Sequence, residues 1–361
     1  MSLKAELLAR IAATGPMTLG DYMAECLLHP RYGYYTTRDP LGAAGDFTTA
    51  PEISQMFGEL IGLALAQSWL DQGAPAPFTL AELGPGRGTL MADILRTTAR
   101  VPGFHDAARL TLIEASPTLR GEQARRLPTA TWVDTVAHLS AEQPLFLVAN
   151  EFFDALPIRQ FHRAQGEEWR EVVIGAEGGT LKPGLAPPAP QPALMHRLLY
   201  TSEDDIVEHS APALPLVAEI AGIIARNGGA ALLIDYGAGP SLGDTFQALE
   251  NHRFTDPFAA PGEADLTAHV DFTELARAAR AQVTVSEPTP QGVFLERLGI
   301  TERAQALAAR LAGPALASHI AAHRRLTHPE EMGSLFKVLG LWPQSAEPLP
   351  GLAPESQPEP K

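Results

Sequence analysis

The sequence predicts an α/β protein with a mostly parallel, doubly wound sheet, and three observations support this prediction. Short apolar runs alternate with helical patterns from Phe78 onward, each run is apolar almost throughout, and a glycine-rich turn follows the first run. Runs of this kind are typical of parallel strands whose two faces are covered by helices. The predicted strands are 78–83, 109–113, 130–133, 145–149 and 230–234, and the predicted helices between them are 89–100, 118–126 and 215–226.

The sequence pattern divides the chain into three parts. Residues 1–72 are expected to form a helical N-terminal segment that carries a loop of the active site. Residues 73–342 contain the predicted sheet, with an insertion at about 158–210 in which 161–175 are expected to form a hairpin. The Pro-rich end, 343–361, is predicted to be a disordered tail.

Helical periodicity dominates the N-terminal segment. Leu3 and Leu7 recur at helical spacing, and Thr18 is a residue type that caps the start of a second helix. A glycine-rich and aromatic loop at 32–49 then precedes an amphipathic helix predicted at 52–70. The loop is too polar to be buried as core on its own.

Charge and cysteine content limit the classes of function. The formal net charge is −15, which disfavours binding to nucleic acid or to an anionic membrane surface. Cys26 is the only cysteine, so the chain has no disulfide framework and no cysteine metal cluster. His319 and His323 have zinc-compatible spacing but lack an acidic partner, so no metal is predicted. No apolar run is long enough to span a membrane and no signal peptide is visible, which predicts a cytoplasmic location.

The turn after the first strand has the strongest pattern in the chain. Glu82 is the residue before the last of the strand, and Gly84, Gly86 and Gly88 alternate with other residues before a helix. Glycines allow a ligand to approach the backbone, and the helix start supplies free N–H groups. A dinucleotide fingerprint would need glycine or alanine where Thr89 stands. The pattern instead resembles motif I of class I S-adenosylmethionine methyltransferases, in which the acidic residue and the loop hold the amino acid end of the cofactor.

Polar residues follow the next two strands at the same sheet edge. Glu114 follows the second strand and is expected to accept hydrogen bonds from both ribose hydroxyls of the cofactor. Asp134 and Thr135 follow the third strand and are candidates to face the adenine. The alternative for these carboxylates is a solvated position in an ordinary strand-to-helix turn.

The fourth strand ends in a cluster of polar and aromatic residues. Asn150, Glu151 and Asp154 offer an amide and two carboxylates around the rings of Phe152 and Phe153. In class I methyltransferases this strand end faces the methyl group, so these residues are the predicted catalytic set. Carboxylates suit a cationic nitrogen acceptor such as a guanidinium. The alternative is that Glu151 and Asp154 only cap the following segment.

Several motifs together resemble those of the MidA family, which includes protein arginine methyltransferases of mitochondrial complex I assembly. The similarity extends over about residues 15–338, and its motifs are GDFTTAPEIS at 45–54, ELGPGRGTL at 82–90, NEFFDALP at 150–157, DLTAHVDF at 265–272, QGVFL at 291–295 and MGSLFKV at 332–338. The resemblance implies a Rossmann-like class I methyltransferase domain at 73–342 that uses S-adenosylmethionine. It also implies that Asp46 and Thr49 belong to a loop that closes over the cofactor.

The resemblance further implies a protein substrate. The reaction would be symmetric dimethylation of an arginine in a core subunit of respiratory complex I or its bacterial equivalent. Two alternatives stay open, namely an assembly protein that binds the cofactor without turnover and a methyltransferase acting on a small molecule or nucleic acid. The sequence leaves the oligomeric state open.

Overall fold

The computed structural model of the protein describes residues 2–37, 48–140 and 142–355. The chain forms two compact units. The first unit combines Met1–Phe47 with Asp154–Leu214 and Gly239–Asp271, and the second combines Thr48–Phe153 with Pro215–Ala238 and Phe272–Lys361.

The helices and strands are numbered in chain order. The helices are α1 (Leu3–Thr14), α2 (Leu19–Leu28), α3 (Tyr34–Thr37), α4 (Ala50–Ile53), α5 (Gln55–Asp71), α6 (Thr89–Thr98), α7 (Phe104–Ala107), α8 (Pro117–Arg126), α9 (Ala213–Asn227), α10 (Phe272–Ala279), α11 (Gln291–Arg297), α12 (Ile300–Ala308) and α13 (Gly313–Thr327). The strands are β1 (Met17–Thr18), β2 (Phe78–Leu83), β3 (Ala108–Ile113), β4 (Thr131–Val133), β5 (Leu145–Asn150), β6 (Arg159–Arg163), β7 (Glu168–Glu177), β8 (Thr180–Leu185), β9 (Ala189–Pro190), β10 (Ile206–His209), β11 (Gly229–Ala238), β12 (Gln247–Glu250), β13 (Arg253–Thr255), β14 (Asp265–Thr267), β15 (Val270–Asp271), β16 (Thr284–Val285), β17 (Thr289–Pro290) and β18 (Phe336–Trp342).

The second unit contains the predicted parallel sheet. Its strand order is β16-β18-β11-β5-β2-β3-β4, and the neighbours from β11 to β4 are all parallel, whereas β18 runs antiparallel to β11. The prediction of a mostly parallel α/β sheet is therefore confirmed. The order reverses direction at β2, between β3 on one side and β5 on the other. In open α/β sheets, ligands bind outside the carboxyl ends of the strands at such a point.

Apolar patterning explains why these segments fold as they do. Every residue of β2 and of β5 is buried, as expected for central strands covered on both faces. Helix α6 turns Leu90, Met91 and Ile94 into the same core. Burial of these apolar faces is the dominant stabilising contribution to the sheet.

The first unit has its own core and its own sheets. Helix α2 begins where the sequence predicts, because the Thr18 hydroxyl accepts a hydrogen bond from the Asp21 N–H at 3.0 Å. The predicted hairpin is the antiparallel pair β6 and β7 within the order β1-β7-β6-β10, and β12 pairs with β13 and β14 in a separate sheet. Apolar residues of α1 and α2 pack with Ile158, Ile174 and Leu266.

The compact units differ from the predicted three-part division. Residues 48–72, assigned from sequence to the N-terminal segment, belong with the parallel sheet, and 239–271 belong with the first unit. The predicted helix at 52–70 is two helices, α4 and α5, because the backbone is extended at Ser54.

The Pro-rich end also differs from the prediction. Residues 343–355 are ordered rather than disordered, since Leu349 is only 1 % exposed and Pro354 pairs with Ser286. Glu355 also forms an ion pair with Arg280 at 2.6 Å. The physical reason is that Leu349 and Leu352 supply apolar surface that the core of the second unit buries. No helix of the described chain combines the length and apolarity needed to cross a membrane.

Candidate functional site

The carboxyl ends of four parallel strands bring most predicted site residues to one sheet edge. Leu83 at the end of β2 is in register with Ile113 of β3 and Ala149 of β5, and Ile113 is in register with Val133 of β4. The segments that directly follow these residues therefore begin at the same level. They are the glycine loop, Glu114, Asp134 and the turn after β5.

The glycine loop is shaped by left-handed backbone conformations. Gly84, Gly86 and Gly88 have φ of +65°, +52° and +75°. Any side chain would also collide at Gly84, because a Cβ there would lie 2.6 Å from Cδ2 of Phe152. Helix α6 starts directly after Gly88. The loop therefore packs closely against the turn after β5 and leads into a helix start that attracts negative charge.

Glu82 is a buried carboxyl at the end of β2. Its side chain is 3 % exposed, and it accepts a hydrogen bond from the backbone N–H of Met91. Burial raises the pKa of Glu82 well above its ordinary value; the Met91 hydrogen bond opposes this effect and the nearby Glu114 adds to it. Its Oε2 atom has no hydrogen-bond partner among the described residues. Such a group is suited to a cation that would stabilise its charged form.

Glu114 is held by hydrogen bonds to both carboxylate oxygens. The Ser116 N–H donates to Oε1 at 2.7 Å, and the Gln123 side-chain amide donates to Oε2 at 3.1 Å. Burial raises the pKa of Glu114, although these two hydrogen bonds oppose the shift. The carboxyl is therefore fixed in orientation and keeps further acceptor positions.

Gln123 is a site residue that the sequence reasoning missed. It lies on α8 and is fully buried. Its amide nitrogen also donates to the Gly86 carbonyl at 2.7 Å, and its oxygen accepts from the Trp132 indole N–H at 2.8 Å. No signal in the sequence distinguishes this glutamine from a solvated polar residue on a charged helix.

Asp134 and Thr135 lie on the surface at the end of β4. The Asp134 side chain is 73 % exposed and forms an ion pair with Arg120 at 2.6 Å. The Thr135 hydroxyl lies 3.3 Å from Nδ1 of His138. The predicted contact of these two residues with an adenine remains a prediction.

The turn after β5 brings Asn150 and Glu151 to the same edge. The Asn150 amide nitrogen donates to Oε1 of Glu151 at 3.0 Å, and Oε1 also accepts from the Ala50 N–H at 2.8 Å. Glu151 adopts a φ of +52°, which is uncommon outside glycine. The Asn150 oxygen is buried and has no hydrogen-bond partner within the described part of the chain.

Asp235 fixes the turn after β5 and was also missed from the sequence. It is fully buried in β11, and its Oδ2 accepts from the backbone N–H groups of Phe152 at 3.1 Å and Phe153 at 2.9 Å. The partners are more than 80 residues away in the sequence, so no local pattern could indicate the contact. Asp235 is a support for the turn.

Helix α4 is connected to the site by hydrogen bonds to the start of α6 and to Glu151. Thr49 is its N-cap residue, and Oε1 of Glu52 accepts from the Thr89 hydroxyl at 2.5 Å. Arg126 donates to the same hydroxyl at 2.6 Å. The helix is thus hydrogen-bonded to the start of α6, and through Ala50 it is also hydrogen-bonded to Glu151. Asp46, predicted for the same loop, lies outside the described residues.

Asp154 belongs to the first compact unit, whereas Asn150 and Glu151 belong to the second. Its side chain is buried, and its backbone carbonyl accepts from the Ala268 N–H at 3.0 Å. The catalytic role predicted for Asp154 remains a prediction.

The histidine pair on α13 makes separate contacts. Nε2 of His319 lies 2.9 Å from the Ala304 carbonyl, and Nε2 of His323 lies 3.0 Å from the Thr301 hydroxyl. Among residues 2–37, 48–140 and 142–355, no cluster of metal-ligating side chains is found.

The edge suits a ligand with a cation at one end and vicinal hydroxyls farther along. The unpartnered Oε2 of Glu82 fits the cation, the glycine loop leaves room for close backbone contact, and Glu114 offers acceptors for hydroxyl groups. The amino acid and ribose parts of S-adenosylmethionine have these groups, so the residues present fit that cofactor.

Comparisons with known proteins agree with the cofactor that these residues fit. The model of the S-adenosyl-L-methionine-dependent methyltransferase family Methyltransf_28 matches residues 60–289. "Protein arginine methyltransferase NDUFAF7 homolog, mitochondrial" from Drosophila melanogaster is 37 % identical and covers 95 % of this chain and 85 % of that protein. "Protein arginine methyltransferase NDUFAF7, mitochondrial" from Homo sapiens is 35 % identical and covers 93 % and 82 %. These mitochondrial names contradict the predicted cytoplasmic location, which was inferred only from missing targeting signals.

Solved structures resemble the whole chain. A crystal structure of a protein from Burkholderia thailandensis bound to S-adenosyl-homocysteine has a TM-score of 0.82 and 26 % identity, and covers 97 % of this chain and 94 % of that one. A native crystal structure from the same organism has a TM-score of 0.80 and 27 % identity, with 98 % and 95 % covered.

Proposed function

The chain belongs to the S-adenosyl-L-methionine-dependent methyltransferase family, as its motifs predict, and we propose that it is a protein arginine N-methyltransferase. Curated relatives that are 35–37 % identical over more than nine-tenths of the chain have this activity in their names. Because the identity extends over nearly the full length, these relatives share with this chain both the segments of the sheet and the inserted segments.

S-adenosylmethionine is the cofactor, and when bound it supplies a methyl group already activated on a sulfonium. In the proposed arrangement, Glu82 and the glycine loop bind the amino acid end and Glu114 binds the ribose. Asp134 and Thr135 lie toward the adenine, and a role of Asp46 and Thr49 in cofactor binding is part of the same proposal. With an activated donor, the residues mainly have to orient the two reactants.

The observation that carries the arginine proposal is the buried, unpartnered oxygen of Asn150 at the end of β5. Asn150 is the last residue of β5, the strand next to β2, and Phe152 of the following turn packs against Gly84 of the glycine loop. A guanidinium carries several N–H donors in a fixed plane, so one of them could satisfy this acceptor. The roles of Glu151 and Asp154 at the acceptor are part of the same proposal.

The finer identity of the reaction follows from the MidA resemblance. We propose that the acceptor is an arginine of a complex I core subunit or its bacterial equivalent, and that the product is symmetric dimethylarginine. Mass spectrometry of that subunit from cells with and without the gene tests the acceptor. Chromatography of the hydrolysed subunit distinguishes symmetric from asymmetric dimethylarginine. A mark present in both cell types would contradict the proposal.

A variant of Asn150 tests whether its unpartnered oxygen binds the acceptor. Asn150→Ala should lower the methyl-transfer rate at saturating cofactor by about tenfold or more, since it removes a hydrogen bond to a charged group. The dissociation constant for S-adenosylhomocysteine should stay within about threefold of the wild type. Unchanged turnover with weakened cofactor binding would place Asn150 on the cofactor instead of the acceptor.

One contact favours the alternative of a cofactor-binding assembly protein without turnover. Oε1 of Glu151 accepts from the Ala50 N–H and the Asn150 amide, which is the bonding expected of a structural cap. Under this alternative, Glu151→Ala would destabilise the segment at α4, and the arginine mark would be the same with and without the gene. Under the proposed function, the mark disappears with the gene.

A further inference from the structure

We infer that Gln123 is a positioning residue that holds Glu114 and the glycine loop in one fixed arrangement for the cofactor. This inference rests on the proposed role of Glu114 as the ribose ligand. Gln123 itself is not placed in contact with the reacting atoms, so it acts through its neighbours.

The hydrogen bonds of Gln123 link separate parts of the site. Its side-chain nitrogen donates one hydrogen to the Gly86 carbonyl at 2.7 Å and the other to Oε2 of Glu114 at 3.1 Å. Its oxygen accepts from the Trp132 indole N–H at 2.8 Å. The glycine loop, the end of β3 and strand β4 therefore meet at one fully buried amide.

Only an amide can make this set of contacts. A carboxylate has no hydrogen to donate to the Gly86 carbonyl or to Glu114, and an apolar side chain makes none of the three bonds. The Trp132 N–H fixes which end of the Gln123 amide faces Glu114. Because the whole group is buried, each lost partner would leave a polar atom without a hydrogen bond.

The effect on Glu114 follows from the count of acceptor positions. A carboxylate has about four lone-pair positions. The backbone N–H groups of Ser116 and Ala115 and the Gln123 amide occupy three of these positions and fix the plane of the group, and the remaining acceptor capacity is what the proposal assigns to the ribose. Without Gln123, Oε2 is free to rotate away from the position that suits a hydroxyl.

Calorimetry of the full chain with S-adenosylhomocysteine tests the inference. Gln123→Met, which keeps the volume of the side chain, should weaken binding about tenfold, as expected for loss of a hydrogen bond to a charged group. The loss should be smaller with 5′-methylthioadenosine, which retains the ribose but lacks the amino acid end that the glycine loop binds. A general loss of structure would weaken the binding of both ligands by the same factor, because it lowers the binding-competent fraction of the protein, so equal losses would overturn the inference.

A double-mutant cycle separates positioning from an independent effect. Glu114→Ala alone should weaken binding more than Gln123→Met, and adding Gln123→Met to Glu114→Ala should cost less than about threefold more. Additive losses would overturn the inference, as would wild-type binding by Gln123→Met. Wild-type binding by Glu114→Ala would refute the assignment of Glu114 to the ribose, and with it the inference. This outcome is visible from the Glu114→Ala variant alone, so it can be told apart from a failure of the Gln123 inference.

Two further variants control for folding. Gln291 is also fully buried and donates to the Leu326 carbonyl at 2.9 Å, so Gln291→Met makes the same exchange away from the site and should leave binding unchanged. If Gln123→Met does not fold, Trp132→Phe removes the bond that orients the Gln123 amide and keeps an aromatic ring at this partly buried position. It should weaken binding about two- to fivefold, less than loss of a whole hydrogen bond to a charge, and unchanged binding would overturn the inference.

Discussion

Glu59 and Glu82 have the same exposed fraction, but their pKa values are shifted in opposite directions. Each is 3 % exposed, and both belong to the unit with the parallel sheet. Oε1 of Glu59 accepts from Arg96 at 2.7 Å, and Oε2 accepts from Arg303 at 2.8 Å. Burial alone would raise the pKa of Glu59, but the hydrogen bonds from Arg303 and Arg96 lower it below the ordinary value. In contrast, burial raises the pKa of Glu82.

The difference shows that burial alone does not reveal what a carboxyl is for. The fold supplies Glu59 with its own cations, and the result is a structural ion cluster. Glu82 has one backbone N–H and a neighbouring carboxyl, and its Oε2 is unpartnered among the residues that the structure describes. A ligand cation would do for Glu82 what arginines do for Glu59.

The largest effect expected from this comparison is on Glu114, which is also buried with a raised pKa. Glu114→Ala should cost about 2–4 kcal/mol of cofactor binding, because two charge-assisted hydrogen bonds are lost. Calorimetry with S-adenosylhomocysteine measures the loss. Glu59→Ala is the matched control, and its dissociation constant should stay within about threefold of the wild type. Equal losses in the two variants would remove the distinction between them.

The next effect is a pH dependence caused by Glu82. A bound ammonium favours the ionised carboxyl, so binding lowers the pKa of Glu82 and releases a proton. Affinity for S-adenosylhomocysteine should therefore rise with pH, by up to about tenfold per unit below the raised pKa of the free protein. Glu82→Gln should flatten the profile to the smaller slope that Glu114 contributes. A flat wild-type profile would show that no cation reaches Glu82.

A smaller effect is expected on stability at Glu59. Its pKa is lower in the folded chain than in the unfolded chain, so its contribution is fully present above the unfolded pKa and is lost as pH falls through the folded pKa. Glu59→Gln should cost about 1 kcal/mol near neutral pH, because its arginine partners are 47 % and 40 % exposed and screened by water. Urea unfolding measures the difference, which should shrink in acid. A difference that grows in acid would contradict the assignment.

The smallest effect is expected at Asp134. Its side chain is largely exposed and paired with Arg120 on the surface, so Asp134→Asn should change both cofactor affinity and unfolding free energy by less than about 1 kcal/mol. The same calorimetric and urea experiments apply. A tenfold loss of affinity would mean that Asp134 contacts the cofactor much more closely than its exposure indicates.

The central strands could be predicted because each appears in the sequence as one continuous apolar run. Strand β2 has the predicted bounds, and β3, β4 and β5 differ from the predicted bounds by one residue. A strand covered on both faces must be apolar throughout, and such a run can be read without its neighbours. The register of these strands then explains why the predicted residues from Glu82 to Glu151 meet at one edge.

The supporting residues could not be predicted in the same way. Gln123 and Asp235 owe their roles to partners on other elements, and nothing in the adjacent sequence marks them. The wrong prediction for the end of the chain has a related cause. Its proline content suggested disorder, but Leu349 and Leu352 pack into the core of the second unit. Long-range contacts override local composition in each case.

The left-handed backbone of Glu151 has a consequence for engineering of this enzyme. A residue other than glycine in that conformation costs about 1–3 kcal/mol, whereas glycine adopts it freely. Glycine at position 151 would relieve this cost, but it would also delete the carboxylate that accepts from the Ala50 N–H and the Asn150 amide. The two effects on the free energy of unfolding oppose each other, so a library selected only for heat tolerance would gain little from glycine at this position.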